Sequence, residues 1–326
     1  SRTLIEALRG CIDRGEQALV LRNRRGWAAA LLCPACGQRV TCTRCTISLT
    51  WHRAARRLRC HHCNFEQGYP DRCPTCGSKE LTMLGEGTER VEDLLRARIP
   101  GAVIERMDRD TIRRRGAHER LLRRFDRGEV DILVGTQMIA KGHDFPRVTL
   151  VGVLSADQSL GLPDFRAGER TFQLLTQVAG RAGREGAGRV IFQAWQPDHP
   201  VITAAAGHDY ARFLADELPQ REALGYPPFR RLLRVGVTGK RLGTTEEAAG
   251  RLAAALRDAF ERPALTVLGP APAVFPRLQD RYRFQILVKG ELRRGEKTWL
   301  AACIRSLKES YRGVDVVHDF DPVSMY

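Results

Sequence analysis

The stretch that decides the fold is residues 131–184, DILVGTQMIAKGHDFPRVTLVGVLSADQSLGLPDFRAGERTFQLLTQVAGRAGR. Two runs within it, residues 131–134 and 148–154, are dominated by aliphatic and β-branched side chains. Nearly continuous apolar runs of this length are typical of parallel strands that are buried on both faces. The loop after the first run therefore lies at the carboxyl end of a strand, where open parallel sheets bind their ligands.

Strands and helices alternate on both sides of this stretch, which predicts a parallel sheet covered by helices on both faces. The predicted helices are residues 4–12, 89–99, 119–125 and 172–178, and the further strands are residues 17–21, 102–108 and 188–194. We assign residues 1–32 and 77–196 to this discontinuous α/β lobe.

A cysteine-rich block at residues 33–76 interrupts the lobe. Eight of the ten cysteines form four Cys-x-x-Cys pairs, and each pair can place two thiolates on one tight turn, as tetrahedral zinc requires. We expect no signal peptide, so metal is favoured over disulfides. The pairs are Cys33 and Cys36, Cys42 and Cys45, Cys60 and Cys63, and Cys73 and Cys76.

The spacing of the pairs favours two nested zinc sites. Residues 46–59 form a linker of zinc-ribbon length, with short hairpin strands at residues 48–51 and 57–59. A crossed arrangement, as in RING-type domains, is the alternative. We expect His52, His61 and His62 to lie outside the ligand sets. The nested arrangement assigns Cys33, Cys36, Cys73 and Cys76 to the first zinc and Cys42, Cys45, Cys60 and Cys63 to the second.

The charge of the 326-residue chain favours a polyanionic partner. The formal net charge is +15 and the isoelectric point is about 9.8, which indicates nucleic acid. No apolar run approaches the roughly 18 residues of a membrane span, so we expect a cytoplasmic protein without a membrane partner.

The last part of the chain predicts a separate domain. Residues 197–231 contain one helical segment, 201–218, and form a linker. Residues 232–326 have the order strand, helix, strand, strand, helix, strand, which is ferredoxin-like. In that order residues 265–268 are a strand and residues 270–276 a loop. This α+β domain shows no catalytic cluster, and we interpret it as a packing or protein-contact module.

The central stretch has the chemistry of phosphate contact. Thr136 and Gln137 place a hydroxyl and an amide beside exposed backbone after a strand, where such groups position phosphates. Arg181 and Arg184 stand three residues apart on a glycine-rich turn, a spacing at which two guanidinium groups can converge on one polyphosphate.

With these features in place, the whole chain resembles the carboxyl-terminal part of the PriA-type primosomal DNA helicases, in helicase superfamily two. A two-zinc block inserted into a second RecA-like helicase lobe is nearly diagnostic of that family. The motifs that carry the resemblance, besides the cysteine pairs, are LRNRRG at 21–26, GTQMIAKGHDFP at 135–146, PDFRAGER at 163–170, QVAGRAGR at 177–184, YPPF at 226–229 and RYRFQ at 281–285.

The resemblance implies roles for individual residues. Thr136 and Gln137 are expected to contact the tracked DNA strand, and Lys141, Arg24 and Arg25 belong to the same DNA surface. The nucleotide contacts are expected to come from Gly142, Asp144, Gln177, Arg181 and Arg184, of which the last three face the triphosphate.

It also implies a function: an ATP-dependent 3′-to-5′ helicase that recognises stalled or branched forks and starts primosome assembly for replication restart. ATP and Mg²⁺ join the two zinc ions as cofactors. The implied partners are branched and single-stranded DNA, other primosome proteins, the loading system of the replicative helicase, and the acidic tail of single-strand-binding protein, with Arg293 as its candidate contact. The protein is then bacterial and associated with the nucleoid. The alternative is a primosome scaffold of the same family that binds DNA without motor activity.

Two departures from the family pattern bear on activity. The sequence has no Gly-x-x-x-x-Gly-Lys-Ser/Thr motif and no acidic magnesium box, so we expect this chain alone to be unable to hydrolyse ATP. Ser155 stands where the family often has an acidic residue.

Overall fold

The computed structural model describes residues 1–22, 30–45, 48–52, 56–60, 63, 65–84, 88–108, 116–139, 145–183, 187–260 and 263–325. Its helices are α1 (Arg2–Asp13), α2 (Thr88–Arg98), α3 (Ala117–Asp126), α4 (Ala167–Ala179), α5 (Pro200–Ala206), α6 (Tyr210–Ala223), α7 (Leu242–Phe260) and α8 (Arg294–Ser310). Its strands are β1 (Gln17–Arg22), β2 (Ala30–Leu32), β3 (Thr50–His52), β4 (Arg57–Arg59), β5 (Glu66–Gln67), β6 (Thr82–Leu84), β7 (Ile104–Met107), β8 (Ile132–Gly135), β9 (Val148–Leu154), β10 (Arg189–Gln193), β11 (Leu232–Gly239), β12 (Thr266–Leu278), β13 (Arg281–Lys289) and β14 (Val314–Phe320).

The chain divides into two compact units. The first comprises Ser1–Ala28, Gly85–Leu162 and Arg166–Glu217, and the second comprises Ala29–Leu84, Pro163–Phe165 and Leu218–Tyr326. The residues that hold the cysteine pairs thus fall in the same unit as the carboxyl-terminal sheet. The four-segment division made from the sequence stays a prediction about functional modules.

The first unit is built on a five-stranded parallel sheet in the order β10-β9-β1-β8-β7. Alternate residues of β1 face opposite sides: Ala18 and Val20 pack with helices α1 and α2, whereas Leu19 and Leu21 pack with α3, α4 and α5. Both faces of the sheet are therefore covered, which explains the continuous apolar runs. The predicted α/β lobe with a parallel sheet is confirmed.

The carboxyl-terminal part of the second unit is a four-stranded antiparallel sheet in the order β12-β13-β11-β14. Leu233, Val235 and Val237 on β11 point to the core that the sheet forms with α7 and α8. The element order strand, helix, strand, strand, helix, strand and this sheet order are ferredoxin-like. The α+β prediction is confirmed.

The prediction of a loop at residues 270–276 was wrong, because β12 runs through it from Thr266 to Leu278. Prolines at 270, 272 and 276 suggested a break. However, β12 is an edge strand, where a proline without an N–H group need not cost a ladder hydrogen bond. Register shifts after Leu268 and Pro272 absorb the irregular backbone.

The single helical segment predicted at residues 201–218 is two helices, α5 and α6. Gly207 caps the first, and His208 adopts a left-handed conformation with φ 52°. The backbone N–H of Asp209 then donates to the carbonyl of Ala204. The apolar spacing continues across this break, so periodicity alone did not reveal it.

The cysteine-rich part of the second unit has a small core of its own. Strand β2 pairs with β6, and β3, β4 and β5 form a three-stranded sheet. Trp51 packs on this core and meets Tyr69 edge-on, with ring centroids 5.5 Å apart. The core consists of Leu31, Val40, Leu49, Leu58, Cys42, Cys45 and Cys60.

Candidate functional site

The sulfur atoms of the eight paired cysteines gather in two groups, and within each group all four sulfurs lie within 4.8 Å of one another. The sets coincide with the nested arrangement. Sulfur pairs are separated by 3.5 Å (Cys33 and Cys76), 3.7 Å (Cys36 and Cys73) and 3.6 Å (Cys42 and Cys63). A tetrahedral zinc ion with Zn–S bonds of about 2.3 Å holds its sulfurs roughly 3.8 Å apart. Spacing and donor set therefore fit zinc at both centres.

The first centre, Cys33, Cys36, Cys73 and Cys76, is made of two knuckles with the same sequence, Cys-Pro-x-Cys-Gly. In one knuckle the N–H of Gly37 donates to the carbonyl of Cys33 at 2.8 Å, and in the other the N–H of Gly77 donates to that of Cys73 at 2.9 Å. Both glycines are left-handed, with φ 69° and 74°, a conformation that side chains disfavour. Local sequence thus shapes both halves of this centre.

Local amide groups also set the charge in the first centre. The backbone N–H groups of Cys76 and Thr75 lower the pKa of Cys73 to about 6, and the Thr75 N–H lies 3.4 Å from the Cys73 sulfur. In the same centre, burial and the neighbouring sulfur atoms raise the pKa of Cys36 to about 12, so a metal there must displace at least one proton.

The second centre, Cys42, Cys45, Cys60 and Cys63, is deeper. Cys45 is 1% exposed and Cys60 is 0% exposed. Burial raises the pKa of Cys42 to about 11 and that of Cys45 to about 12. A metal at this centre must displace protons from these thiols, because only thiolates bind it.

Part of the second centre's hydrogen bonding comes from the turn between β12 and β13. The backbone N–H of Gln279 donates to the sulfur of Cys45 at 3.2 Å. The N–H of Asp280 donates to the carbonyl of Arg44 at 2.9 Å, and the Arg277 guanidinium donates to the carbonyl of Thr43 at 3.1 Å. Sequence reasoning missed this turn, since nothing in its residues connects it to a cysteine more than 200 positions away.

In the first unit, the predicted DNA-contact residues Thr136 and Gln137 directly follow β8 and are partly exposed. Gly135 lets this end of the strand pack closely, because a Cβ there would lie 2.6 Å from the carbonyl oxygen of Met107. Buried Ile139 donates its N–H to the carbonyl of Thr136 at 3.1 Å and closes the turn. The other predicted DNA contacts, Lys141, Arg24 and Arg25, lie outside the described residues.

The predicted nucleotide contacts Gln177 and Arg181 lie at the end of α4. Gln177 is exposed and Arg181 half-buried. The turn after them is tied to the sheet, because the N–H of Gly183 donates to the carbonyl of Val148 at 3.0 Å. A Cβ on Gly188 would lie 2.4 Å from the Ala182 backbone, so a glycine is required there. The other predicted contacts, Arg184, Gly142 and Asp144, lie outside the described residues.

Among the described residues, Thr136 and Gln137 lie at the carboxyl ends of the parallel strands, whereas Gln177 and Arg181 precede a turn at the amino ends. Gly135 is level with Val153 in the strand register, since both pair with Leu21, whereas Gly183 bonds Val148 at the start of the same strand. At about 3.3 Å per residue the two positions are roughly 17 Å apart along the strands. The two sets of predicted contacts are thus separated along the length of the strands.

A cavity of about 690 Å³ opens beside Gly183 at the amino edge. Its wall includes Arg14, Glu16 and Thr149. Hydrogen bonds from the Arg14 guanidinium and the Thr149 hydroxyl hold the pKa of Glu16 below its usual value. Glu6 and Arg189 also line the cavity, so its wall carries two carboxylates and two guanidinium groups.

Trp195, which sequence reasoning also passed over, is 91% exposed after β10. Its backbone is fixed, because the N–H groups of Trp195 and Gln196 donate to one oxygen of Asp157 at 2.8 and 2.9 Å. Arg293, the predicted contact for an acidic tail, caps the amino end of α8, where its N–H donates to Glu296 at 2.6 Å.

Family models match three parts of the chain. The helicase conserved C-terminal domain matches residues 80–186, the PriA DNA helicase Cys-rich region domain matches residues 42–67, and the primosomal protein N C-terminal domain matches residues 222–323. With the parallel sheet and the cysteine groups, these matches define the class as a second helicase lobe combined with a zinc-ribbon module and a primosomal carboxyl-terminal domain.

The relatives narrow the class to one family. The chain is 44% identical to the replication restart protein PriA of Bacillus subtilis over 95% of its own length and 38% of that protein's. It is 40% identical to the PriA of Treponema pallidum over 100% of its own length and 49% of the relative's. The chain belongs to the PriA replication-restart family, as its motifs predict. It spans about two fifths to one half of the length of these curated relatives.

Within the part of the chain that the structure describes, no helix is long and apolar enough to cross a membrane.

Proposed function

We propose that the chain supplies the second motor lobe, the zinc module and the carboxyl-terminal domain of an ATP-dependent 3′-to-5′ DNA helicase, which recognises stalled or branched forks and starts primosome assembly. The observation that carries the proposal is the placement of Thr136 and the turn at Gly183 at opposite ends of the strands of one parallel sheet. Thr136 and Gln137 then contact the DNA strand, together with Lys141, Arg24 and Arg25. Gln177, Arg181 and Arg184 face the triphosphate of ATP bound with Mg²⁺, with Gly142 and Asp144 close to it.

Contacts at the two ends of the strands suit a motor because the sheet between them is rigid. A shift of the turn at Gly183, when the triphosphate is cleaved, reaches Val148 through a backbone hydrogen bond. Strand β9 lies two places from β8, which carries Thr136 at its far end. In this proposal the arginines stabilise charge that develops in phosphoryl transfer. The phosphate-binding loop is not in this sequence, so the chain alone is inactive.

The second unit supplies the other contacts. Two Zn²⁺ ions occupy the cysteine centres, and the zinc module lies over the duplex junction. The carboxyl-terminal domain binds branched DNA and the acidic tail of single-strand-binding protein, which Arg293 contacts. Other primosome proteins and the replicative helicase loading system are further partners, in the cytoplasm at the nucleoid. The net charge of +15 supports the DNA contacts and predicts fork binding that weakens steeply with salt.

The test is DNA-stimulated ATP hydrolysis by the complete protein and its Arg181→Ala variant. Loss of an arginine that faces the triphosphate lowers turnover by roughly 10³-fold or more, while binding to forked DNA is retained. Arg189→Ala is the matched control, because Arg189 is an exposed arginine at the same amino end of the parallel strands. Equal turnover in the two variants would contradict the role of Arg181.

The second candidate is a primosome scaffold without motor activity, and Ser155 favours it. This residue, found where the family often has an acidic side chain, ends β9 in a left-handed conformation with φ 52°. The next residue, Ala156, donates to the carbonyl of Gln193 at 2.9 Å, so the turn is intact without the acid. Absence of ATP turnover in the unmodified complete protein, with fork binding retained, would select the scaffold.

A further inference from the structure

The turn between β12 and β13 is short and rigid. Leu278 pairs with Arg281, so only Gln279 and Asp280 form the turn. Both have positive φ, 51° and 60°, as a two-residue turn of the primed type requires. Asparagine and glycine are the usual residues there, and other side chains strain the backbone. Gln279 and Asp280 adopt this conformation where both of their N–H groups meet the Cys42–Cys45 knuckle.

The turn contacts two consecutive residues of that knuckle. The N–H of Gln279 reaches the sulfur of Cys45, at 3.2 Å, and the N–H of Asp280 reaches the carbonyl of Arg44, at 2.9 Å. The Asp280 carboxylate also lies 3.8 Å from the Arg44 guanidinium. An array of this kind fixes both the position and the orientation of the turn against the metal centre.

Apolar packing reinforces these hydrogen bonds. The side chain of Leu278, the last residue of β12, packs on the core of the cysteine-rich part, which includes buried Leu49 and Leu58. Water is excluded around the Cys45 sulfur, because the whole residue is only 1% exposed. A hydrogen bond to a thiolate in such surroundings is stronger than one in water.

We infer that Gln279 is a positioning residue of the second metal centre, and that metal binding there is what docks the β12–β13 turn. This inference rests on the proposed occupancy of the centre by zinc. Bound metal fixes the position of the Cys45 sulfur, which accepts the N–H of Gln279 at 3.2 Å. Groups that hydrogen-bond to metal ligands orient those ligands and tune the affinity of the site. The docking of the β12–β13 turn of the carboxyl-terminal domain thereby depends on whether the second centre holds a metal ion.

The direct test is amide hydrogen exchange of Gln279 and Asp280 in the zinc-loaded chain. Cys63→Ser removes a ligand of the second centre, and Cys76→Ser, its matched control, removes one of the first. Metal content per chain is measured on each sample. Exchange at the two amides accelerates at least tenfold in Cys63→Ser and is unchanged in Cys76→Ser. Unchanged exchange in both variants, with one metal lost from each, would overturn the inference.

The reverse test perturbs the turn and follows the metal. In Leu278→Asp, release of the second centre's zinc to a chelator is at least tenfold faster, and release from the first is unchanged. Leu268→Asp is the control, since Leu268 lies on the same strand but is 42% exposed. Equal acceleration at both centres in Leu278→Asp would indicate general unfolding and would count against the inference.

Cobalt substitution gives a readout that unfolding does not mimic. Loss of the Gln279 hydrogen bond in Leu278→Asp shifts the sulfur-to-cobalt charge-transfer band of the second centre, while the band of the first stays in place. Neither ATP nor DNA enters these tests. A chain that binds no metal would contradict the zinc part of the proposed function. A chain that binds two metal ions, but whose β12–β13 turn does not respond to metal loss, would contradict only this inference.

Discussion

The first metal centre is built from two copies of one local motif, whereas the second combines dissimilar turns from distant parts of the chain. Each knuckle of the first closes on its own glycine, Gly37 or Gly77, in the left-handed conformation. The pairs of the second centre are followed by Thr46 and Asn64 instead, and a hydrogen bond to Cys45 comes from Gln279. The same four-thiolate chemistry is thus supported by local sequence in one centre and by tertiary structure in the other.

The largest expected contrast is in stability. Cys60→Ser, in the second centre, should lower the free energy of unfolding of the second unit by more than about 4 kcal/mol, because it removes a metal from a buried core and releases a docked turn. Cys73→Ser, in the first centre, should cost clearly less. Urea denaturation, with Trp51 fluorescence as the probe, measures both. Equal losses would mean that the two centres are supported alike.

The next contrast is in pH dependence. At pH 7 the metal-free second centre holds Cys42 and Cys45 protonated, with pKa values of about 11 and 12. The first centre combines Cys36, with a pKa of about 12, and Cys73, with a pKa of about 6. Zinc binding releases protons from protonated thiols, so affinity rises with pH and falls on acidification. Each proton released makes binding about 1.4 kcal/mol more favourable per pH unit.

We therefore expect zinc binding at either centre to release protons. Calorimetry in buffers of different ionisation enthalpy counts the protons, using variants that retain one centre. Zinc binding without proton release at either centre would contradict the presence of protonated thiols in the metal-free chain.

A smaller effect on stability tests whether the local backbone conformation of a knuckle supports the first centre. Gly77→Ala should destabilise the first centre by about 1 kcal/mol, because alanine must adopt a left-handed conformation there. The effect is purely conformational, since no atom lies within 4 Å of the added Cβ. Gly68→Ala also meets no atom within 4 Å, but its φ is not in the left-handed range. Zinc competition with a chelator should distinguish the two variants, and equal affinities would argue against backbone control.

The same contrast explains what the sequence could predict. The knuckles, the β-branched strands of the parallel sheet and the order of the ferredoxin-like elements are encoded within a few residues each, and the sequence predicts them. The contact of Gln279 with Cys45 has no local signature, because backbone N–H groups are common to nearly all residues. The continuation of β12 through residues 270–276 was missed because proline tolerance depends on being at a sheet edge, a property of the folded sheet.

For the candidate motor residues, part of the placement could be predicted from the sequence and part could not. The placement of Thr136 after a strand and of Arg181 after a helix followed from apolar patterning. Their placement at opposite ends of the strands could be recognised only from the parallel register of β1, β8 and β9. The exposure of Trp195 could not be predicted, since a tryptophan at the end of a strand is more often part of a core.

The most direct measurement of the central claim, two nested metal centres, is zinc stoichiometry by native mass spectrometry in two double variants. If the centres are nested, Cys36→Ser with Cys73→Ser damages only the first centre, and one zinc remains. Cys36→Ser with Cys60→Ser then damages both centres, and no zinc remains. The opposite pattern, no zinc in the first double variant and one in the second, would establish the crossed arrangement and contradict the account.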